Sequence, residues 1–186
     1  MTGVRGLLLA LLLATGPGCL VVSVAPSHTR DSQVWEPGLL GDWQSADDAS
    51  SVRVERGEWQ SYTLEYAHTV EKGRLTGYLS MIGKDRYLDV MPARGEDRGS
   101  FLLPLHALLH LRLEGDRLEL TPLSYEWFGE HLRAGRAIAG LSATLDQKEN
   151  ALLVSPVDRL RDWLRVQSVD GPAFGASATF ARKPSR

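Results

Sequence analysis

From about residue 39 to residue 122, apolar and polar side chains alternate along the chain. This period of two is typical of strands with one face in a protein core and the other in water, as in antiparallel sheets. The apolar members of the alternating runs are Val52, Val54, Tyr62, Leu64, Tyr66, Leu75, Gly77, Leu79, Met81, Leu109, Leu111, Leu113, Leu118 and Leu120. The pattern therefore predicts a succession of antiparallel strands.

Short polar segments with a glycine separate several of these runs, and a glycine at such a position makes a tight hairpin turn inexpensive. The turns are predicted at residues 56–58, 83–85 and 114–117. A further hairpin is predicted around residues 146–150, and a closing strand over residues 176–182. The resulting count of about eight strands matches a small closed antiparallel β-barrel, in which no strand edge is left unpaired.

Two later segments have the period of a helix. The first is predicted to begin after an N-cap at Ser124 and to end at Gly135. The clearer one lies nearer the C-terminus, with Ser155 as its cap and Pro156 in its first turn. Its apolar stripe consists of Val157, Leu160, Trp163 and Leu164. The predicted fold class is therefore mainly β, an antiparallel barrel with one or two helices.

The N-terminus has a different pattern. Arg5 precedes the apolar run 7–13, and small residues with Pro17 follow. This order of charge, apolar core and small residues is typical of a secretory signal, which we predict over residues 1–18. The single cysteine of the chain, Cys19, comes directly after it. One cysteine excludes an internal disulfide, so the exported domain depends on its hydrophobic core alone.

The position of Cys19 resembles the lipobox of bacterial lipoproteins. In that family a small residue precedes the cysteine, as Gly18 does here, and the cysteine becomes the lipidated first residue of the mature protein. Gly16 stands three residues before Cys19, where the family pattern usually has leucine. The resemblance implies a lipid anchor on Cys19 and a place in the bacterial cell envelope, facing the periplasm or the cell exterior.

Two other interpretations of the N-terminal segment remain open. An ordinary signal peptidase would cut after Ala25, although Pro26 would then follow the cut. An uncleaved membrane helix over residues 7–25 has nearly the ~20 residues that a bilayer requires. Gly16, Pro17 and Gly18 disfavour that helix, since glycine costs about 1 and proline about 3 kcal/mol in a helix interior.

The remaining chain is predicted to have two parts. Residues 19–38, rich in serine and proline, are interpreted as the lipidated N-terminus with a flexible tether, and residues 39–186 as a single β-rich domain. The 168 residues after position 18 are enough to bury one core. They carry 20 basic against 23 acidic side chains, a balance that does not indicate binding to nucleic acid.

The start of the predicted domain resembles the lipocalin-like barrels. Gly41 and Trp43 match the G-x-W motif of that superfamily, at the start of the first predicted barrel strand. In the family, the tryptophan closes one end of the barrel and packs against an arginine near the last strand, and Arg182 lies in the last strand predicted here. The resemblance implies that Gly41, Trp43 and Arg182 close the barrel.

Candidates for catalysis are few. His106 and His110 share one face of a strand or helix, but metal binding would need a third ligand. Glu126, Glu130 and His131 share the first predicted helix, where a solvent-exposed face explains them as well as acid–base chemistry does. The chain contains no nucleophile elbow, phosphate-binding loop or dinucleotide motif. We therefore predict no cofactor, no metal and no catalytic residue.

Three functions are consistent with these patterns. The first is a membrane-anchored envelope protein whose barrel binds a small apolar ligand or envelope component without catalysis. The second is an interaction module that holds an envelope protein through an exposed sheet face or helix. The third is a hydrolase. An interior cavity would favour the first function, and an exposed apolar patch would favour the second.

Overall fold

A closed barrel of eight antiparallel strands forms the centre of the protein, which confirms the predicted fold class. The computed structural model describes residues 20–68, 72–93 and 104–184. Around the barrel the strands follow the order β11-β2-β3-β4-β5-β6-β7-β8. Their bounds are β2 Gly41–Ser45, β3 Ser51–Arg56, β4 Ser61–Ala67, β5 Lys72–Ile82, β6 Asp85–Pro92, β7 Ala107–Glu114, β8 Arg117–Pro122 and β11 Ala178–Arg182.

The alternating apolar residues fill the inside of the barrel. For example, Val54, Leu64 and Leu75 are cross-strand partners on β3, β4 and β5. The buried side chains of this inner core are Leu39, Trp43, Val52, Val54, Tyr62, Leu64, Leu79, Leu88, Val90, Leu109, Leu111, Leu118, Leu120 and Phe180. Pairing of β11 with β2 and β8 closes the barrel, so the first and last barrel strands meet.

A second core lies on the outer face of the barrel. It is covered by a small sheet in the order β1-β10-β9 and by two helices. These elements are β1 Val21–Ser23, β9 Ala143–Leu145, β10 Ala151–Leu153, α1 Tyr125–Arg133 and α2 Val157–Val166. The predicted hairpin around residues 146–150 is therefore present, but β9 and β10 belong to this outer sheet and not to the barrel. Consecutive residues 87–90 of β6 are all buried, because both faces of that strand are covered.

The two helices begin in different ways. Ser124 Oγ accepts a hydrogen bond from the backbone amide of Trp127 at 3.2 Å, which confirms the predicted cap of α1. The predicted cap of α2 is wrong, since Pro156 occupies the N-cap position and makes no side-chain cap. Ser155 Oγ instead accepts from the amide of Ser142 at 2.7 Å, so it fastens the preceding loop.

Residues 20–38 are part of the fold, and the tether predicted for them is wrong. β1 pairs in parallel with β10, and Ser23 forms a bridge with His106. Short 3-10 helices follow at Arg30–Ser32 and Pro37–Leu39. The many polar residues of this segment gave the appearance of a tether, but several of them bind polar groups of the barrel wall.

Candidate functional site

Trp43 lies at the end of the barrel where β2 begins and β11 ends. Its side chain is fully buried, and its Nε1 donates to the carbonyl oxygen of Leu39 at 2.9 Å. The Arg182 guanidinium carbon lies 4.2 Å from the centroid of the Trp43 ring, within the range of a cation–π interaction. The buried indole therefore has its one donor satisfied and a cation against its face.

Arg182 also joins residues 38–40 and Asp116 to the last barrel strand. Its Nη1 donates to the carbonyl oxygen of Leu40 at 2.6 Å, its Nη2 donates to that of Gly38, and its Nε donates to Asp116 Oδ1 at 2.8 Å. Gly41 has a φ of +129°, and a Cβ atom there would lie 2.7 Å from Arg182 Nη1. Gly41, Trp43 and Arg182 thus lie together, and the glycine leaves the space that the guanidinium occupies.

The opposite end of the barrel contains an apolar cavity of about 240 Å³. At this end β4 and β6 finish, and β5 and β7 begin. Among the lining residues in the described ranges, none carries a charged side chain, and all but Tyr66 and Asn150 are apolar. The lining consists of Leu20, Val22, Val52, Leu64, Tyr66, Leu75, Val90, Met91, Pro92, Leu105, Ala107, Leu109, Leu120 and Asn150.

This cavity suits a small apolar ligand. A water molecule is poorly stabilised in this cavity, because a buried water needs two to four polar partners and the described lining residues offer few. Apolar atoms placed there would leave water and contribute about 25 cal/mol per Å² of buried apolar surface. The arrangement can therefore bind an apolar compound, and the lining residues that the structure describes include no carboxylate, imidazole, thiol or amine.

The N-terminal segment supplies part of the cavity wall. Leu20 and Val22 line the cavity, and β1, which contains Val22, packs beside β7. The sequence interpretation missed both residues because it assigned them to a tether. The apolar run 20–22 was the only signal in the sequence that could have found them.

A buried carboxylate on the outer face of β6 holds this segment in place. Asp89 is fully buried, and its Oδ2 accepts from the backbone amide of Ser27 at 2.6 Å and from Ser27 Oγ at 3.0 Å. His28 Nδ1 lies 3.2 Å from the same oxygen, and His106 Nδ1 lies 2.7 Å from Oδ1. Burial by itself raises the pKa of Asp89, but the hydrogen bonds with His106, His28 and Ser27 outweigh it and hold this pKa below its usual range.

Arg161 of α2 adds a second attachment. Its Nη1 donates to the carbonyl oxygen of Ser27 at 2.6 Å, and its Nη2 donates to the carbonyl oxygen of Met81 on β5 at 2.9 Å. Burial lowers the pKa of Arg161. One guanidinium therefore connects the helix, the N-terminal segment and the barrel wall.

The contacts around Asp89 do not form a nucleophile. Ser27 Oγ donates to the carboxylate, whereas nucleophilic catalysis by serine needs the hydroxyl to donate to an imidazole. In the ranges that the structure describes, no group of three or more histidine, cysteine, aspartate or glutamate side chains could hold a metal ion. The hydrogen bonds of Asp89 instead attach residues 23–28 to β6, and we call this group of contacts the Asp89 latch.

The other candidate residues are dispersed. His106 contacts Asp89, whereas His110 Nε2 lies 3.7 Å from Asp85 Oδ1, so each histidine faces a different carboxylate. Burial lowers the pKa of His110. On α1, Glu126 and Glu130 are exposed, and His131 Nδ1 lies 2.8 Å from the Trp127 carbonyl oxygen. The structure therefore brings together neither the two histidines nor the α1 residues as an acid–base pair.

The predicted signal over residues 1–18 and the predicted lipidation site Cys19 lie outside the described residues. In the part of the chain that is described, neither helix has the length and hydropathy needed to cross a membrane. No protein-family model, curated protein or solved structure matches this chain.

Proposed function

We propose that this protein is a lipid-anchored protein of the bacterial cell envelope whose barrel binds a small apolar ligand without catalysis. The apolar cavity at the end of the barrel where β4 and β6 finish is the observation that carries this proposal. Pockets for small molecules are concave and mostly apolar, with a few polar groups, and this lining has that composition. The interaction module has less support, because the exposed large hydrophobic side chains in the described ranges are only Val24, Trp59, Val154 and Val166.

The path of the chain supports a connection between the anchor and the cavity. Leu20 lines the cavity, and Cys19 is its neighbour in the sequence, one Cα–Cα step of ~3.8 Å away along the chain. A lipid on Cys19 would therefore keep the cavity close to the membrane surface. An apolar ligand could then move between bilayer and barrel with little exposure to water.

Filling the cavity tests the binding proposal. Ala107 lines the cavity, so we expect Ala107→Trp to occupy the space and to lower the amount of co-purifying ligand at least tenfold. Burial of apolar ligand surface contributes about 25 cal/mol per Å². This contribution is lost for the part of the ligand that the tryptophan keeps out of the cavity. Lipid extraction followed by mass spectrometry of the purified protein measures that amount.

The matched control is Ala67→Trp. Ala67 follows Tyr66 on β4, and its side chain lies on the opposite, outer face of the strand. It does not line the cavity, so the ligand should be retained. Equal ligand content in the two variants would contradict the proposal, provided that both have the circular dichroism of the unchanged protein.

Removing the thiol tests the anchor. We expect Cys19→Ala to abolish the mass increase of lipidation and to shift the protein out of the membrane fraction or leave its signal uncleaved, because the thiol is the attachment point of the lipid. Intact-mass measurement and membrane fractionation of the two proteins check this. An unchanged mass and an unchanged membrane fraction would contradict lipidation at Cys19.

A further inference from the structure

We infer that the β9–β10 hairpin, residues 146–150, lies against the lipid head groups of the membrane and that Lys148 at its tip contacts their phosphates. This inference rests on the proposed lipid anchor at Cys19 and names the surface of the domain that the anchor brings to the membrane. Three features carry it: the parallel pairing of β1 with β10, the short chain between Cys19 and the fold, and the charges of the hairpin.

The parallel pairing places the root of the hairpin beside the start of β1. Val21 is the register partner of Ala151, and the backbone amide of Ala151 donates to the carbonyl oxygen of Leu20 at 2.9 Å. Paired parallel strands run in the same direction, so the chain before Val21 and the chain before Ala151 leave the sheet at the same end. Residues 146–150 therefore project from the end of the outer sheet at which Leu20 lies.

The chain between the fold and the anchor is too short to separate them. Val21 and Val22 are buried, and Cys19 is bonded directly to Leu20, one Cα–Cα step of ~3.8 Å away. Neighbouring strands lie ~4.8 Å apart, which puts Ala151 within about 10 Å of Cys19. The polar layer of one bilayer leaflet is itself roughly 5–7 Å thick. A lipid on Cys19 therefore holds the start of β10 within reach of the head groups.

The contacts inside the hairpin leave Lys148 available for a phosphate. Oδ1 of Asp146 accepts from the backbone amides of Lys148 and Asn150 at 2.7 and 2.8 Å, so this carboxylate braces the turn. Glu149 Oε2 accepts from Arg133 Nε at 3.0 Å. Lys148 is exposed, and within the described ranges its side chain forms no hydrogen bond or salt bridge. Its ammonium group can therefore donate to phosphate oxygens.

The hairpin also has the polarity of the head-group layer. Asp146 and Glu149 are balanced by Lys148 and by Arg133, the partner of Glu149, so an anionic membrane does not repel the hairpin. Residues 147–149 are exposed, and none of them is apolar. Charged side chains are costly in the hydrocarbon core. The hairpin is therefore suited to lie among the head groups without entering the core.

Fluorescence quenching tests this placement. In the full-length processed protein the lipid blocks the thiol of Cys19, so a second cysteine can be labelled with bimane. The labelled variants are Gln147→Cys at the hairpin tip and Val154→Cys, which is 47% exposed just beyond the other end of β10. Each protein is reconstituted in vesicles of phosphatidylcholine and phosphatidylglycerol in which some lipids carry a nitroxide on the head group.

We expect the nitroxide lipids to remove most of the fluorescence at residue 147 and several-fold less at residue 154. The reason is distance, since the three residues of β10 alone separate the two positions by ~10 Å. Both replaced side chains are exposed, and equal circular dichroism of the two proteins verifies that each is folded.

Removing one charge tests the phosphate contact. In the protein labelled at residue 147, Lys148→Gln should lower the ratio of membrane-bound to unbound hairpin about fivefold, which corresponds to the ~1 kcal/mol that one lysine contributes near an anionic membrane. The matched control is Lys84→Gln. Lys84 is equally exposed but lies in the turn between β5 and β6, at the end of the barrel opposite the cavity, so quenching at residue 147 should stay the same.

The intact mass separates this inference from the function on which it rests. If the mass shows no lipid on Cys19, the anchor is wrong and this inference fails with it. If the lipid is present but residues 147 and 154 are quenched equally, the hairpin inference is overturned and the proposed function stands. An effect of Lys148→Gln no larger than that of Lys84→Gln overturns the phosphate contact.

Discussion

Replacing Trp43 with alanine is expected to lower the free energy of unfolding by about 3–5 kcal/mol, the usual cost of removing a fully buried tryptophan. The substitution leaves a space in the barrel core near the start of β2 and removes the ring on which the Arg182 guanidinium lies. It also leaves the Leu39 carbonyl oxygen without the indole donor. Urea unfolding followed by circular dichroism measures the change.

Trp59 provides the control for this substitution. It is 90% exposed in the turn between β3 and β4, so Trp59→Ala should change the free energy of unfolding by no more than about 0.5 kcal/mol. Trp43→Phe, which keeps most of the apolar volume, should be intermediate and remain folded. An effect of Trp43→Ala no larger than that of Trp59→Ala would contradict the closing role of Trp43.

The second large effect is expected at Asp89. Replacing this carboxylate with asparagine keeps the shape but removes the charge, and an amide NH₂ then faces groups that also donate. Breaking a buried, hydrogen-bonded charge in this way costs about 3–5 kcal/mol. Because Ser27 and His28 lie in the N-terminal segment, Asp89→Asn should also loosen residues 23–28. Hydrogen exchange of the Ser27 amide reports this directly.

The effect of Asp89→Asn should depend on pH. The pKa of Asp89 is lower in the folded protein than in the unfolded chain, where an aspartate has a pKa of about 3.9. Its contribution to stability is therefore fully present above about pH 4 and is lost as the pH falls through the folded-state pKa. We expect the difference in unfolding free energy between the two proteins to be large at pH 7 and to shrink in acid.

Asp162→Asn is the matched control for this experiment. Asp162 lies on α2 with a side chain that is 66% exposed and paired with Arg165. An exposed pair of this kind contributes little, so the free energy of unfolding should change by less than about 1 kcal/mol. A pH-independent difference for Asp89→Asn would show that the carboxylate charge is not the stabilising feature.

The barrel could be predicted because most of its strands have one face in a core and the other in water. On β3, β4 and β5 apolar and polar residues alternate, so the sequence itself shows which residues face the core and which face water. On β6 both faces are covered, so residues 87–90 are buried without alternation. The outer core could not be predicted, since it joins β1, β9 and β10 with two helices from distant parts of the sequence.

The two ends of the barrel differ in how far the sequence indicates them. A short local motif contains Gly41 and Trp43, and one arginine in the last predicted strand was enough to name Arg182 as their partner. The cavity has no such motif, because it consists of ordinary apolar residues from most of the barrel strands. The Asp89 latch was missed for a related reason, as an aspartate within an apolar strand gives no sign of which distant donors will meet it.

Barrel closure has a consequence for how the chain reaches its folded state. β11 pairs with both β2 and β8, and β1 pairs with β10. The strands β1 and β2 therefore complete their pairing only with strands from the last third of the sequence. Contacts between such distant segments form slowly. During folding, one edge of β2 and one edge of β8 remain unpaired until β11 has formed, and unpaired strand edges promote aggregation. The interval before β11 pairs with β2 and β8 is thus the stage at which this protein would benefit most from a chaperone.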